Sequence, residues 1–185
     1  LSYTTAAGGG NHAVTLRSDG AAIGWGIAFN GQLSIPNPQP YAKISAAGNY
    51  TVWLLTTGVI GGVGINSSGQ LNVPALPPGV VYTDVEPGLT HCLGLRSDGS
   101  VVGWGANGFG QCNVPPLPAG VSYVEVVAKG RTTLARRSDG AAVAFGENDI
   151  RQCDLPSLPS GRSWLGIDLG IARVGSLASY VTTSP

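Results

Sequence analysis

The chain has 185 residues, enough for one compact domain, and 43% of them are hydrophobic, so that a sizeable core can form. Only 11% are charged, against roughly 25% in an ordinary soluble domain, and the charges sum to zero. This balance argues against nucleic acid as a partner, because neutralising phosphate requires clustered Lys and Arg. The longest charge-free apolar run, residues 51–65, is shorter than the roughly 20 residues of a membrane span.

Charge is scarcest in the N-terminal half, where residues 1–80 contain only Arg17, Asp19 and Lys43. Two interpretations stay open: a surface of small uncharged polar residues, or a face that is buried against partner proteins. The only basic cluster is small and is not read as a nucleic-acid site; it consists of Arg131, Arg136 and Arg137.

The three cysteines are odd in number and contain no Cys-x-x-Cys pair, so neither a disulfide framework nor a zinc site is predicted. Cys112 and Cys153 occupy equivalent places in neighbouring copies of a repeat and are expected to lie too far apart for a bridge. Reduced thiols, together with no recognisable leader at Leu1, favour an intracellular or organellar compartment.

The first copy of the repeat, residues 3–40, contains five landmarks in a fixed order: an opening aromatic, a Ser-Asp-Gly turn, an aromatic-Gly pair, a Gly-Gln pair and an apolar residue before Pro. They are Tyr3, Ser18–Gly20, Trp25–Gly26, Gly31–Gln32 and Ile35–Pro36. A Ser-Asp-Gly turn between short apolar runs predicts a β-hairpin with a tight primed turn.

The landmarks recur in residues 41–81, 82–122 and 123–163, with turn glycines spaced 38, 41 and 41 apart. The second copy is degenerate: it contains Trp53, replaces Arg-Ser-Asp with Leu55-Thr-Thr and has Val63 in place of the aromatic. Residues 164–181, beginning at Trp164, match only the opening half of a fifth copy.

An all-β unit of about 40 residues cannot bury its faces alone and must pack on its neighbours, which a β-propeller achieves. We therefore predict an all-β propeller of four full repeats plus a partial fifth, in one domain over residues 1–185. The aromatic landmarks are predicted to pack between blades. The chain could form an open arc, a small ring closed by its C-terminal strands, or part of a larger ring that a partner completes, and an incomplete or partner-completed ring is expected.

No catalytic, cofactor-binding or metal site is predicted. His12 and His91 occupy one repeat position, which is filled by Tyr50 and Thr132 in the other full copies, so a structural role is expected. The turn aspartates also recur at one repeat position, so a structural role in the turn is expected for them too. No nucleophile elbow or glycine-rich anion cradle accompanies them in the sequence. The chain is therefore interpreted as a non-enzyme that needs no cofactor.

Binding is predicted at two places. The loops after each aromatic-Gly pair vary most and carry apolar residues, and loops on one rim of a repeat scaffold are the usual place for recognition. The degenerate second copy has lost charge and gained apolar residues, which suits an interface. The candidate partner-binding residues are Phe29, Asn30, Trp53, Leu55, Ser67, Phe109, Ile150 and Arg151.

The copies, such as HCLGLRSDGSVVGWGANGFGQCNVP from residue 91, resemble the regulator of chromosome condensation (RCC1) repeat family. The Gly-Gln-x-x-Val-Pro-x-Leu-Pro continuation is most similar to the family branch of β-lactamase-inhibitor propellers. The resemblance implies a propeller, usually of seven blades, which would need roughly 280 residues at this repeat length. It does not fix function, because members include exchange factors, ligase subunits, photoreceptors and inhibitors. The exchange activity of the namesake depends on an inserted wedge and an acidic face, and no insertion interrupts these copies.

The favoured function is a non-enzymatic protein-interaction or scaffold module, a structural subunit of a larger and possibly organellar assembly. Its partners are other proteins, among which a membrane complex stays open, and not nucleic acid. The alternative is a free inhibitor or ligand-recognition propeller that binds through its loop rim. Guanine-nucleotide exchange ranks last.

Overall fold

The computed structural model describes residues 1–170, which form twelve β-strands and no helix within that range. In chain order the strands are β1 Tyr3–Gly8, β2 His12–Arg17, β3 Ala22–Gly26, β4 Tyr41–Ala47, β5 Tyr50–Leu55, β6 Ile60–Gly64, β7 Tyr82–Pro87, β8 His91–Arg96, β9 Val101–Gly105, β10 Tyr123–Lys129, β11 Thr132–Arg137 and β12 Ala142–Gly146. Each full copy of the repeat supplies three consecutive strands, which pair antiparallel in chain order to form one sheet. We call the four sheets, with the connector that follows each, blades 1 to 4.

The Ser-Asp-Gly turns join the second and third strands of blades 1, 3 and 4, as predicted, and Thr56–Gly58 takes their place in blade 2, but the turn is not a primed one. In blade 1 the amide of Gly20 donates to the carbonyl of Arg17 over 2.9 Å, and Gly20 alone has positive φ, at 84°. Asp19 keeps a negative φ, so the hairpin has a type I turn followed by a left-handed glycine. The aspartate instead accepts a hydrogen bond from the amide of Ala21 over 3.2 Å.

The hydrophobic core lies between blades, not within them. One cluster joins blades 1 and 2 through Val14 and Ile44, the next joins blades 2 and 3 through Val52 and Val85, and a third joins blades 3 and 4. Consecutive first strands pack against one another: β1 on β4, β4 on β7 and β7 on β10. Among residues 1–170 no core cluster joins blade 4 to blade 1, so the blades form an open arc.

The connectors lie close against the third strands, where a small residue precedes the aromatic-Gly landmark. A Cβ atom on Gly103 would come within 2.8 Å of Cα of Cys112 in the connector of the same blade. The glycine therefore permits a close approach of the two backbone segments at this position.

The start of the fifth copy continues the pattern. Trp164, Ile167 and Leu169 are buried, and the latter two pack with Leu134 of blade 4. The remainder of the predicted partial repeat, residues 171–181, lies outside the described residues.

Candidate interaction surfaces

Each junction between blades is held by a buried polar chain that starts at the first residue of a middle strand. Between blades 1 and 2, Nε2 of His12 lies 2.9 Å from the hydroxyl of Thr51, which donates to the carbonyl of Gln32 over 2.8 Å. Because that hydroxyl gives its hydrogen to Gln32, His12 donates from Nε2, as the neutral Nε2-protonated ring can. Burial lowers the pKa of His12, which favours the same state.

The other two junctions repeat this chain with different residues. Between blades 3 and 4, His91 contacts Thr133 over 3.2 Å, and Thr133 donates to the carbonyl of Gln111 over 2.8 Å. Burial lowers the pKa of His91 to about 4. These contacts fit the structural role expected of both histidines, because each side chain bonds to a threonine of the next blade.

The junction between blades 2 and 3 uses a tyrosine in place of the histidine. The hydroxyl of Tyr50 is 2.8 Å from the carbonyl of Gly88, 2.6 Å from that of His91 and 3.4 Å from Sγ of Cys92. Cys92 also contacts the carbonyl of Gln70 over 3.4 Å. Burial raises the pKa of Cys92 to about 12, so this thiol stays protonated at neutral pH and is a poor nucleophile.

The opening aromatics bind the preceding connector through its proline carbonyl. Tyr82 donates to Pro74 over 2.9 Å, and Tyr123 donates to Pro115 over 2.8 Å. Two landmarks that are far apart within one copy of the repeat therefore meet across a junction. A blade thus offers an incoming face, which contacts the preceding connector, and an outgoing side that carries its own connector.

The incoming face of blade 1 is uncovered. Trp25 is 54% exposed, whereas its equivalent Trp104 in blade 3 is 7% exposed; Tyr3 is 69% exposed, whereas its equivalent Tyr82 is 3% exposed. The prediction that the aromatic landmarks pack between blades holds for Trp104 but is wrong for Trp25. The reason is physical: blade 1 has no described blade before it.

The rim loops after each third strand are held by their own glutamine. In blade 3 the Gln111 side chain, almost fully buried, accepts a hydrogen bond from the amide of Phe109 over 3.0 Å. Phe109 remains exposed, and the guanidinium of Arg131 lies 4.8 Å from its ring centre. Arg131 also pairs with Glu147 over 3.3 Å. This rim position therefore presents an aromatic ring with a cation stacked on it, a combination suited to protein recognition.

Of the eight candidate residues, six lie on the exposed rim and one is half-buried. Phe29 is the most prominent, with 92% of its surface exposed. The exposed residues are Phe29, Asn30, Ser67, Phe109, Ile150 and Arg151, and the half-buried one is Leu55.

Trp53 is the exception and requires a correction. It is 8% exposed, packs edge-on against Tyr41 with ring centres 6.2 Å apart, and covers Gly61, where a Cβ atom would meet its ring at 2.5 Å. Trp53 therefore belongs to the core between blades 1 and 2. It provides on β5 the aromatic bulk that Val63 lacks on β6.

A cluster of three charged side chains joins the first strand of blade 2 to the first strand of blade 3. Nζ of Lys43 in β4 lies 2.6 Å from Oδ1 of Asp84 in β7 and also pairs with Glu86. Burial raises the pKa of Glu86 against the opposing effect of Lys43. For Lys43 burial lowers the pKa, but Glu86 and Asp84 outweigh burial and raise it. These ion pairs therefore connect blade 2 to blade 3.

Within residues 1–170, no three His, Cys, Asp or Glu side chains come together in a way that could hold a metal ion. Over the same range, no helix is long and apolar enough to cross a membrane.

Residues 83–111 match the model of the regulator of chromosome condensation (RCC1) repeat. No curated protein matches the chain by sequence. Solved structures identify the fold as an RCC1-like propeller. The human WBSCR16 structure has a TM-score of 0.67 at 19% identity and covers 82% of this chain and 50% of its own. Yeast RCC1 (Prp20), bound to Kap60, has a TM-score of 0.65 at 21% identity, and the match covers 86% of this chain and 45% of the yeast chain.

The ectodomain of the Arabidopsis thaliana receptor kinase ACR4 has a TM-score of 0.69 at 18% identity and covers 88% of this chain and 63% of its own. The chain therefore spans less than two thirds of each of these propellers. Prp20p from Saccharomyces cerevisiae, which is also similar, has binding properties to Gsp1p and histones.

Proposed function

We propose that this chain is a non-enzymatic protein-interaction module and a structural subunit of a larger assembly. The observation that carries the proposal is the uncovered incoming face of blade 1. Trp25 and Tyr3 expose large aromatic surface there, while their equivalents in blade 3 are buried. Apolar surface of this kind is stabilised by burial against another protein, at about 25 cal/mol per Å² removed from water.

Low charge supports the same function. Blade 1 contains only Arg17 and Asp19 as charged residues, and they pair with each other at 2.5 Å within the turn. A partner that covers the incoming face therefore has no unpaired charge to desolvate, which removes the largest cost of forming such an interface.

The proposal is tested by photocrosslinking in the cells of origin. A benzoylphenylalanine at position 25 is expected to give one discrete adduct with a partner protein. Position 104, which is buried between blades, and position 59, which is exposed on the β5–β6 turn, serve as controls and are expected to give none. No adduct from position 25, with the chain eluting as a free monomer from native extracts, would contradict a subunit role.

A second candidate function is that of a free inhibitor or ligand-recognition propeller that binds through the rim. The exposed Phe109 ring with Arg131 stacked on it favours this candidate, because aromatic and Arg side chains dominate binding hot spots. Photocrosslinking at positions 29 and 109 separates the two functions. Adducts from the rim positions, with none from position 25, would favour the second.

A further inference from the structure

On the rim of blades 3 and 4 we infer a binding site for a protein segment that places a carboxylate beside apolar side chains, with Arg151 as the residue that pairs with the carboxylate. This site rests on the proposed role in protein recognition, and it lies apart from the incoming face of blade 1. Three features support it: a strained backbone at Arg151, an unneutralised cation, and an exposed apolar surface that continues from blade 4 to blade 3.

Arg151 occupies a backbone position that suits glycine. Its φ is 64°, and no other residue of the described chain except glycine has a positive φ. The equivalent residues of the first three blades are Gly31, Gly69 and Gly110, with φ between 74° and 77°. The loop imposes this conformation, because the amide of Arg151 donates to the carbonyl of Asn148 over 3.1 Å and Gly110 makes the same bond in blade 3. A side chain there strains the backbone, which points to a use for the arginine that glycine could not supply.

Arg151 also presents a cation that its own chain leaves unneutralised. The residue is exposed, and among residues 1–170 it belongs to no ion pair, whereas Arg131 of the same blade pairs with Glu147 over 3.3 Å. The rim loops of the first three blades contain no charged residue; they are residues 27–31, 65–69 and 106–110. Charge on the rim loops is therefore confined to blade 4, where the guanidinium of Arg151 can pair with a carboxylate from another protein.

Exposed apolar side chains extend from this loop to blade 3. Ile150, which precedes Arg151, is 52% exposed, and Phe109 at the equivalent place in blade 3 is 43% exposed. Arg131 links the two loops, because its guanidinium stacks on the ring of Phe109 and pairs with Glu147 of the blade 4 loop. A segment that reaches Arg151 therefore meets aromatic and aliphatic surface, a combination typical of binding hot spots. The equivalent residues of the first two blades are polar: Asn30 and Ser68.

The charges of the loop favour a carboxylate over a phosphate group as the anion. Glu147 and Asp149 belong to the same loop as Arg151. Their negative charges oppose a phosphate group, which carries roughly two negative charges at neutral pH, more than they oppose a carboxylate with one. A single guanidinium also matches a single carboxylate through two parallel N–H···O bonds. The rim therefore fits an aspartate or glutamate that is flanked by apolar residues.

Two variants of the full chain separate the strain from the charge. Arg151→Gly relieves the strained backbone, so we expect its urea midpoint of unfolding to rise by about 0.3–0.5 M. Arg151→Gln keeps the strain and removes the charge, so its midpoint should change little. Gly110→Arg is the matched control and should lower the midpoint, because it places the same strain in blade 3. A midpoint for Arg151→Gly at or below that of the unmodified chain would overturn the strain from which the site is inferred.

Binding is tested with a phage-displayed library of random peptides, selected on the unmodified full chain. We expect the enriched peptides to place Asp or Glu next to Phe, Trp, Leu or Ile. A synthetic copy of the strongest peptide should bind about tenfold or more weakly to Arg151→Gln, because a charge-assisted hydrogen-bonded pair is lost. It should bind severalfold more weakly to Phe109→Ala. Ser68→Ala, the control on the rim of blade 2, should leave its affinity unchanged.

The outcomes separate this site from the proposed interaction role. Peptides whose binding is abolished by Trp25→Ala and unaffected by Arg151→Gln would support the interaction role and overturn the rim site. A selection that enriches no acidic–apolar sequence would also overturn the rim site. Displacement of the peptide by inorganic phosphate at lower concentration than by acetate would overturn the carboxylate assignment. Binding that depends on Arg151, together with no adduct from position 25 in cells, would support the rim site and contradict an interface at blade 1.

Discussion

Trp104 donates its indole N–H to the carbonyl oxygen of Gln70 across the junction between blades 2 and 3, over 2.9 Å. The same ring packs against Tyr82 with ring centres 6.2 Å apart. One side chain therefore satisfies a connector carbonyl and fills the core between two blades. Its equivalent in blade 1, Trp25, has the same sequence neighbours but neither contact in the described structure. Comparing the two tryptophans therefore measures how much a junction between blades contributes to stability.

Trp104→Ala is expected to lower the free energy of unfolding by about 3–5 kcal/mol, because it empties a buried aromatic site and leaves the Gln70 carbonyl with only the weak thiol contact from Cys92. Trp25→Ala, the matched control, is expected to cost less than about 1 kcal/mol, because that ring is more than half exposed. Urea denaturation followed by circular dichroism measures both. Equal losses for the two variants would show that position in the arc does not set the contribution of the ring.

In blade 2, we expect that the large aromatic side chain can be moved from β5 to β6 without loss of the core packing. In blade 3, Gly94 leaves room for Trp104, since a Cβ atom on Gly94 would lie 3.1 Å from Cζ3 of that ring. Blade 2 has the reverse arrangement, with Trp53 at the position of Gly94 and Val63 at that of Trp104. Blades 2 and 3 therefore each hold one large ring at this level of the core.

Trp53→Gly alone is expected to cost about 4 kcal/mol, and Val63→Trp alone about 1–3 kcal/mol from overpacking against Trp53. The double variant reproduces the arrangement of blade 3, so its loss should be smaller than the sum by at least about 1 kcal/mol. A double-mutant cycle in urea measures the coupling. Simple additivity would mean that the two sites do not share one space.

The repeat spacing was enough to predict the architecture, because strand ends, turns and inter-blade contacts all follow one period. What the period could not reveal lies where a copy departs from its neighbours. Trp53 looked like a surface residue because it breaks the pattern, and only the packing shows that it compensates for Val63. Trp25 keeps the pattern, but it lies in the first described blade, where no described blade packs against its ring.

The ion pairs of Lys43 between blades 2 and 3 predict that removing this lysine costs more stability than removing Arg17. Lys43→Met leaves Asp84 and Glu86 close together and half-buried with no cation, so we expect a loss of about 2 kcal/mol in unfolding free energy. Arg17→Met breaks only an exposed turn pair, which solvent screens, and its loss should be much smaller. Thermal denaturation at low and high salt compares them, and a loss for Lys43→Met no larger than that of Arg17→Met would contradict the role of this pairing.

Acidification is expected to weaken the junction between blades 3 and 4 through His91. Burial lowers its pKa in the folded protein to about 4, while the unfolded chain has the ordinary value of 6.5. Between these two pH values the unfolded chain binds more protons than the folded protein does, so the free energy of unfolding falls as the pH drops from about 6.5 to about 4. Below about 4 both states are protonated at this residue, and His91 causes no further loss. The contribution amounts to about 2–3 kcal/mol at pH 4.5.

His91→Gln removes the titrating ring and keeps a side-chain N–H that can reach the hydroxyl of Thr133. Its free energy of unfolding should therefore decline less than that of the unmodified chain between pH 7.5 and 4.5, although it starts lower. His12→Gln is the matched comparison and is expected to flatten the profile in the same direction, because burial also lowers the pKa of His12. Urea titrations at the two pH values give the differences directly. Parallel declines in the unmodified chain and in both variants would mean that the histidines do not sense pH and that the buried polar chains between blades are held by something other than a neutral imidazole.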